Sequence, residues 1–76
     1  MRIEPVKELS GEKVKEIRRT ANLTQRTLAE FLGVSAKAVE AWESGRRVPS
    51  GPACRLLAMI AMDPTLPERP LAAASE

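Results

Sequence analysis

The stretch that decides the fold is residues 23–45, which read LTQRTLAEFLGVSAKAVEAWESG. It contains two short runs in which apolar residues recur at helical spacing. Gly33 and Gly45 follow the two runs, at the position where a helix commonly ends on a left-handed residue that glycine adopts without strain. The pattern therefore predicts two short helices, at about 25–32 and 36–44.

Each of these helices, and one earlier helix, has a capping residue at its start and an apolar pair around the cap. Thr24 and Ser35 can cap the two helices above, and Ser10 can cap an earlier helix. In all three cases an apolar residue precedes the cap and another occupies the fourth helical position, which is the pattern of a hydrophobic staple. The three apolar pairs are Leu9 with Val14, Leu23 with Leu28, and Val34 with Val39.

A fourth helix is predicted at about 51–62, after a Pro-Ser-Gly-Pro sequence that stops the chain and restarts it. No segment has the pattern of a strand, so we expect a compact all-α domain of four to five helices over residues 10–62. Residues 1–9 are predicted to be an N-terminal arm. Residues 63–76 are predicted to be a Pro/Ala-rich C-terminal tail with no packed element. The predicted core residues are Val14, Ile17, Ala21, Leu28, Ala29, Leu32, Val39, Trp42, Ala53, Leu56, Leu57 and Ile60.

The composition argues against most catalytic chemistry. The 76 residues include no His, no Tyr and one Cys, so His-dependent catalysis, a metal site and an intramolecular disulfide are not expected. Glu40 with Glu43, or Cys54 as a nucleophile, would lack a base and a pocket, and Cys54 is more simply a small buried apolar residue. We expect no enzyme activity, no cofactor and no small-molecule substrate.

The chain also carries no apolar run near 18 residues and no signal-peptide pattern, so we expect a cytoplasmic protein without membrane association.

The positive charge of the chain is concentrated in its middle segment. Positions 13–55 contain nine Lys/Arg and four Glu, whereas residues 63–76 contain one base and three acids. A basic middle segment suggests a polyanionic partner, and the alternative is a solvated basic face.

The short connection Gly33-Val34-Ser35 requires the two central helices to cross steeply, which is the geometry of a helix-turn-helix. In such a unit the second helix can enter the major groove of B-DNA while the first crosses the backbone. The small Ala29 suits a close crossing of the two helices. The sequence therefore favours double-stranded DNA as the polyanion.

At these residues the sequence resembles the Cro/cI-type (lambda-repressor-like, XRE) helix-turn-helix family, from about Val14 to Ile60. The resemblance is carried in one register by Thr-Gln at a helix start, Leu-Ala, Leu-Gly-Val-Ser, Val39 and Trp-Glu-Ser-Gly. The closing Trp-Glu-Ser-Gly-Arg-Arg-x-Pro-Ser-Gly-Pro, followed by a Leu-Leu helix, is similar to small antitoxin-type regulators, namely HigA-like proteins and the DNA-binding half of MqsA-like proteins.

The resemblance implies a lambda-repressor-like fold and a transcriptional repressor. Such a protein would bind a palindromic operator as a homodimer, with the helix at about 36–44 in the major groove. The alternative is an antitoxin whose main role is the capture of a toxin protein, with DNA binding serving autoregulation.

The resemblance also implies roles for individual residues. Gln25 would contact a phosphate at the start of its helix. Residues on one stripe of the next helix would read bases, and residues just after that helix would hold the DNA backbone. Arg19 and Arg26 are either flanking contacts or solvated. The implied DNA-binding residues are Gln25, Ser35, Ala36, Lys37, Glu40, Ala41, Ser44, Arg46 and Arg47.

Direct base reading by that stripe would be sparse. Spacing places Ala36, Lys37, Glu40 and Ala41 together on an exposed stripe of the helix. Alanine can contact a thymine methyl, Lys37 can donate to guanine, and Glu40 can accept from cytosine or simply be a solvated acid. Specificity would then depend partly on phosphate positioning and DNA deformability.

Arg18 and Glu43 match a pair that, in this family, forms a partly buried salt bridge between the first and third helices. The resemblance implies that this pair orients the recognition helix and has a structural role.

Overall fold

The protein is described by a computed structural model that covers residues 9–68, within which there are four α-helices, one 3₁₀ helix and no strand. The predicted all-α fold is confirmed, and the three later helices have the predicted bounds. No helix in this part of the chain is long and apolar enough to cross a membrane. The helices are α1 (Gly11–Thr20), α2 (Gln25–Leu32), α3 (Ala36–Ser44) and α4 (Gly51–Met62), and the 3₁₀ helix is Leu66–Glu68.

The helices begin where serine or threonine side chains accept from the first turn. Ser10 Oγ accepts from the backbone N of Lys13 at 3.1 Å, and Ser35 Oγ accepts from Ala38 at the same distance. Thr24 forms a capping box, in which its own backbone N donates to Thr27 Oγ1 at 2.8 Å. These caps satisfy amides that have no partner inside the helix, so the local sequence determines the helix starts.

The ends of α2 and α3 require glycine for its backbone conformation. Gly33 and Gly45 have φ angles of 76° and 84°, and a Cβ added at either position would meet no atom within 4 Å. The residue after each glycine donates its backbone N to the fifth residue before it, which is the Schellman arrangement. Asn22, with a φ of 59°, has the same left-handed conformation between α1 and α2.

The core lies between the four helices and contains ten residues of the described chain. Leu32, predicted to be in the core, is half-buried against it. The prediction that Leu56 belongs to the core is wrong. Because α4 packs mainly against α1 and the 3₁₀ helix, only a narrow stripe of α4 is enclosed, and Leu56 is partly exposed beside it. The core residues are Val14, Ile17, Ala21, Leu28, Ala29, Val39, Trp42, Ala53, Leu57 and Ile60.

The segment that follows α4 is partly packed. The prediction of a tail without a packed element is wrong at Leu66, which lies half-buried against the core. Asp63 Oδ1 accepts from Thr65 N at 3.1 Å and begins the turn that leads into the 3₁₀ helix. Residues 1–8 and 69–76 lie outside the described chain, so the arm and the remainder of the tail stay predictions.

Candidate nucleic-acid interface

The packing of α2 against α3 positions the candidate site. Ala29 is almost completely buried where the two helices meet, and Val34 N donates to Ala29 O at 3.0 Å across the turn. These contacts fix α3 relative to α2. Val39 and Trp42 face the core, so the opposite side of α3 is presented to solvent.

A second constraint on α3 is the ion pair between Arg18 and Glu43. Arg18 Nε lies 2.6 Å from Glu43 Oε2, and Arg18 Nη2 donates to Glu43 Oε1 at 3.2 Å, so the pair is bidentate. The two side chains are only 15% and 3% exposed. Arg18 Nη1 also donates to Leu23 O at 3.0 Å. The structure therefore brings the two residues together, and the pair ties α3 to both α1 and the α1–α2 connection.

Gln25 belongs to the same network. Its Nε2 donates to Glu43 Oε1 at 3.1 Å, and its side chain is half-buried. No local pattern in the sequence predicts this hydrogen bond, because the two residues are 18 positions apart and meet only where α2 packs on α3. One amide hydrogen of Gln25 remains for another acceptor, and the predicted phosphate contact stays a prediction.

Opposing effects act on the Glu43 carboxylate. Its burial raises the pKa, but hydrogen bonds from Arg18 and Gln25, together with the positive charges of Arg18 and Lys15, lower the pKa by more. The pKa of Glu43 therefore lies below its ordinary value of 4.5, and the carboxylate is ionised at neutral pH.

The outward side of α3 differs from the predicted stripe at one residue. Ala36, Lys37 and Glu40 are exposed as expected, but Ala41 is only 7% exposed. The prediction that Ala41 lies on the exposed stripe is wrong. After Gly45 the chain folds back over the last turn of α3, where two consecutive backbone N–H groups, at residues 46 and 47, donate to Ala41 O at 3.0 and 3.2 Å.

This reversal places two arginines beside the outward side of α3. An open groove of about 370 Å³ results, which we call the α3 groove. Within the described chain, Lys37 and Arg47 form no ion pair, so both cations are available to an external anion. The α3 groove is lined by Lys37, Glu40, Ala41, Arg46 and Arg47.

Arg46, the third cation of the α3 groove, forms a hydrogen bond and an ion pair with neighbouring side chains. Its Nε donates to Ser44 Oγ at 3.1 Å, and its Nη2 lies 3.7 Å from Glu40 Oε1. Ser44 Oγ in turn donates to Ala41 O at 3.1 Å. Ser44 therefore supports Arg46 from the end of the helix, while the hydroxyl of Ser35 accepts from the first turn of α3.

The two flanking arginines lie apart from the groove. Arg26 Nε lies 3.7 Å from Glu30 Oε2 on α2, and Arg19 lines a separate shallow depression on α1 with residues of both charges.

Residues 9–68 contain no group of three or more His, Cys, Asp or Glu side chains that could hold a metal ion. Cys54 is buried, as predicted, and its thiol lies 3.6 Å from Pro49 O.

Comparison with known proteins shows the family to which the chain belongs. A helix-turn-helix family model matches residues 14–60, the same span over which the sequence resembles the family. The antitoxin HigA-2 of Vibrio cholerae serotype O1 (strain ATCC 39315 / El Tor Inaba N16961) is 34% identical over 56 residues, which cover 74% of this chain and 54% of the relative. The chain thus spans about half the length of this curated relative. It belongs to the XRE-type helix-turn-helix family of DNA-binding regulators.

Proposed function

We propose that the protein is a transcriptional repressor that binds a palindromic operator as a homodimer, with α3 in the major groove. The observation that carries this proposal is the α3 groove, in which three cations surround one acid on the exposed side of the second helix of the helix-turn-helix. Family membership points to regulation through DNA binding rather than to catalysis.

The residues of the groove divide into base contacts and phosphate contacts. Lys37 is the long donor on the outward side of α3 and is proposed to meet a guanine edge, while Ala36 is small enough to approach a thymine methyl. Arg47, beyond Gly45, is proposed to contact phosphate together with Arg46. Ala41 lines the groove but is only 7% exposed, so it offers little surface to a base.

Two groups beside the groove complete the proposed phosphate contacts. The amide of Gln25 is oriented by Glu43, and the first backbone N–H groups of α2 add a partial positive charge next to it. The hydroxyl of Ser35 still carries a hydrogen that it can donate, since its oxygen acts as the acceptor in the α3 cap.

A second copy of the chain is proposed to pack near α4. Met59 is 45% exposed and Met62 is 87% exposed, on a helix of 12 residues with a single charged side chain. The basic α3 grooves of two copies would repel each other, so they are unsuited to a mutual interface. Half-sites one DNA turn apart are separated by about 34–36 Å. The molecule measures 38 × 33 × 19 Å, so neighbouring copies can touch when the longest dimension lies along the DNA.

A second candidate function is that of an antitoxin, and the observation that favours it is the similarity to antitoxin HigA-2. In that case a toxin protein is the main partner, and DNA binding by the same α3 groove serves autoregulation. The exposed apolar side of α4 is then open to either a toxin or a second copy.

Binding of labelled DNA from upstream of the protein's own gene, followed by fluorescence anisotropy, tests the proposal. We expect specific binding whose affinity falls steeply between about 50 and 200 mM salt. Lys37→Ala should weaken it, whereas Lys13→Ala, which removes the same charge from α1, should not. Absence of binding to the upstream DNA, or equal binding to scrambled DNA, would contradict the repressor function. Light scattering of the complex, with two chains expected per palindrome, tests the dimer.

A further inference from the structure

Arg46 and Glu40 form an ion pair within the proposed DNA-binding surface. The pair is held in place by the backbone, because Gly45 reverses the chain and Arg46 N donates to Ala41 O at 3.0 Å. The guanidinium consequently lies over the last turns of α3, between Ser44 Oγ at 3.1 Å and Glu40 Oε1 at 3.7 Å.

Glu40 is the one acid among the five residues that line the α3 groove, so its effect falls on a surface that is otherwise basic or neutral. Both members of the pair are exposed, at 67% for Arg46 and 60% for Glu40, so a DNA phosphate can reach the guanidinium. Two negatively charged groups would then compete for one cation. A carboxylate displaced by phosphate would remain close to that phosphate and repel it.

We propose that Glu40 competes with DNA phosphate for Arg46 and thereby lowers the affinity of the protein for all DNA sequences. This inference rests on the DNA-binding function proposed above and adds a restraining residue to that surface. Its consequence is that less protein is held on non-specific DNA, where phosphate contacts supply essentially all of the binding.

Competition and base reading by Glu40 predict opposite effects of neutralising the side chain. If Glu40 accepts a hydrogen bond from a cytosine, Glu40→Gln replaces a charged acceptor by a weaker neutral one and weakens binding to the operator. If Glu40 competes with phosphate, the same change strengthens binding to operator and random DNA alike. Glutamine retains the size of the side chain, so the wild-type protein and Glu40→Gln differ mainly in charge.

The chain offers a matched control in the pair of Arg26 and Glu30 on α2. This pair is also exposed and its closest distance is also 3.7 Å, but neither residue lines the α3 groove. Glu30→Gln therefore makes the same change in net charge and breaks a pair of the same kind. Any effect of net charge alone should be shared by the two variants.

The experiment measures the affinity of wild type, Glu40→Gln and Glu30→Gln for operator and random DNA over a range of salt. Exposed pairs contribute up to about 1 kcal/mol, so Glu40→Gln should bind both DNAs roughly two- to fivefold more tightly. The slope of log K against log salt should steepen by up to about 0.9, the value for one additional phosphate contact. Glu30→Gln should change affinity by less than Glu40→Gln.

A double variant tests whether Glu40 acts through Arg46. In the Arg46→Ala background, Glu40→Gln should no longer raise the affinity. A gain that persists there would overturn the proposal, as would equal gains in Glu40→Gln and Glu30→Gln or weaker operator binding by Glu40→Gln. If the wild-type protein binds no DNA, the DNA-binding function fails and the inference fails with it. If wild type binds and Glu40→Gln brings no gain, the inference alone fails.

Discussion

The two arginine–glutamate pairs that involve α3 contain the same charged groups in opposite surroundings. Arg18 and Glu43 approach to 2.6 Å and are only 15% and 3% exposed, whereas Arg46 and Glu40 approach to 3.7 Å and are 67% and 60% exposed. In the first pair little water can reach either charge to replace a lost partner. In the second pair water can reach both charges.

The difference gives the two sides of one nine-residue helix different properties, one suited to stability and the other to the proposed DNA binding. The buried pair lies on the side of α3 that also carries Val39 and Trp42, and it fixes the helix against α1. The exposed pair lies in the α3 groove, where a ligand can rearrange it. Substitutions on the two sides should therefore change different measured quantities.

The largest expected effect is on the buried pair. Glu43→Ala and Arg18→Ala should each lower the free energy of unfolding by about 2–4 kcal/mol, because each leaves a charge of little exposure without its opposite charge. Urea denaturation followed by circular dichroism measures this. Glu40→Ala is the matched change in the exposed pair and should alter stability by less than about 0.5 kcal/mol. If Glu43→Ala and Glu40→Ala unfold at the same urea concentration, burial is not what distinguishes the pairs.

A second prediction concerns the backbone that carries the buried pair. Gly11 packs so closely on the end of α3 that an added Cβ would lie 2.5 Å from Glu43 O and 2.6 Å from Trp42 O. Since backbone atoms cannot move aside cheaply, Gly11→Ala should destabilise the protein by about 1–3 kcal/mol.

Gly51 provides the control for this prediction, because it is likewise the first residue of a helix after a serine cap. A Cβ there would meet no atom within 4 Å. Gly51→Ala should therefore be neutral or stabilise by up to about 1 kcal/mol. Equal thermal midpoints for the two alanine variants would argue against close packing of α1 on the end of α3.

The exposed side of α3 should show the reverse behaviour, with an effect on binding and none on folding. Lys37→Ala should cost about 1–3 kcal/mol of operator affinity and relax preference at one base pair per half-site. Arg47→Ala should instead weaken all sequences together and flatten the salt slope by about 0.9. Competition binding with single-base operator variants separates the two. Equal weakening of operator and random DNA by Lys37→Ala would make Lys37 a phosphate contact.

The smallest expected effect is the pH dependence that belongs to the buried pair. The pKa of Glu43 is lower in the folded protein than its ordinary value of 4.5, so ionised Glu43 stabilises the fold above that pH. This stabilisation is lost as the pH falls through the lowered folded-state pKa. Because Glu43→Gln cannot titrate, the difference in melting temperature between wild type and Glu43→Gln should be constant near neutral pH and narrow below pH 4.5. A difference that stays constant into acid would contradict the lowered pKa.

The helices and their order could be predicted from the sequence alone. Serine and threonine caps, left-handed glycines and apolar spacing act within a few residues of the chain, so the bounds of α2, α3 and α4 could be predicted from local patterns. The same spacing predicted most of the buried residues, with Leu56 and Ala41 as exceptions, and the motifs quoted above carried the resemblance to the family. The pairing of Arg18 with Glu43 was available only through the resemblance, because the two residues are 25 positions apart.

Tertiary packing, in contrast, sets which polar groups share partners and which small residues are covered. Gln25 meets Glu43 because two helices cross, and Gly11 meets the end of α3 because α1 packs there. Ala41 has the spacing of an exposed residue and is buried, since the chain folds back over it after Gly45 and brings Arg46 to Glu40. Helical periodicity describes one helix against solvent, and it contains no information about which distant segment of the chain will lie on that helix.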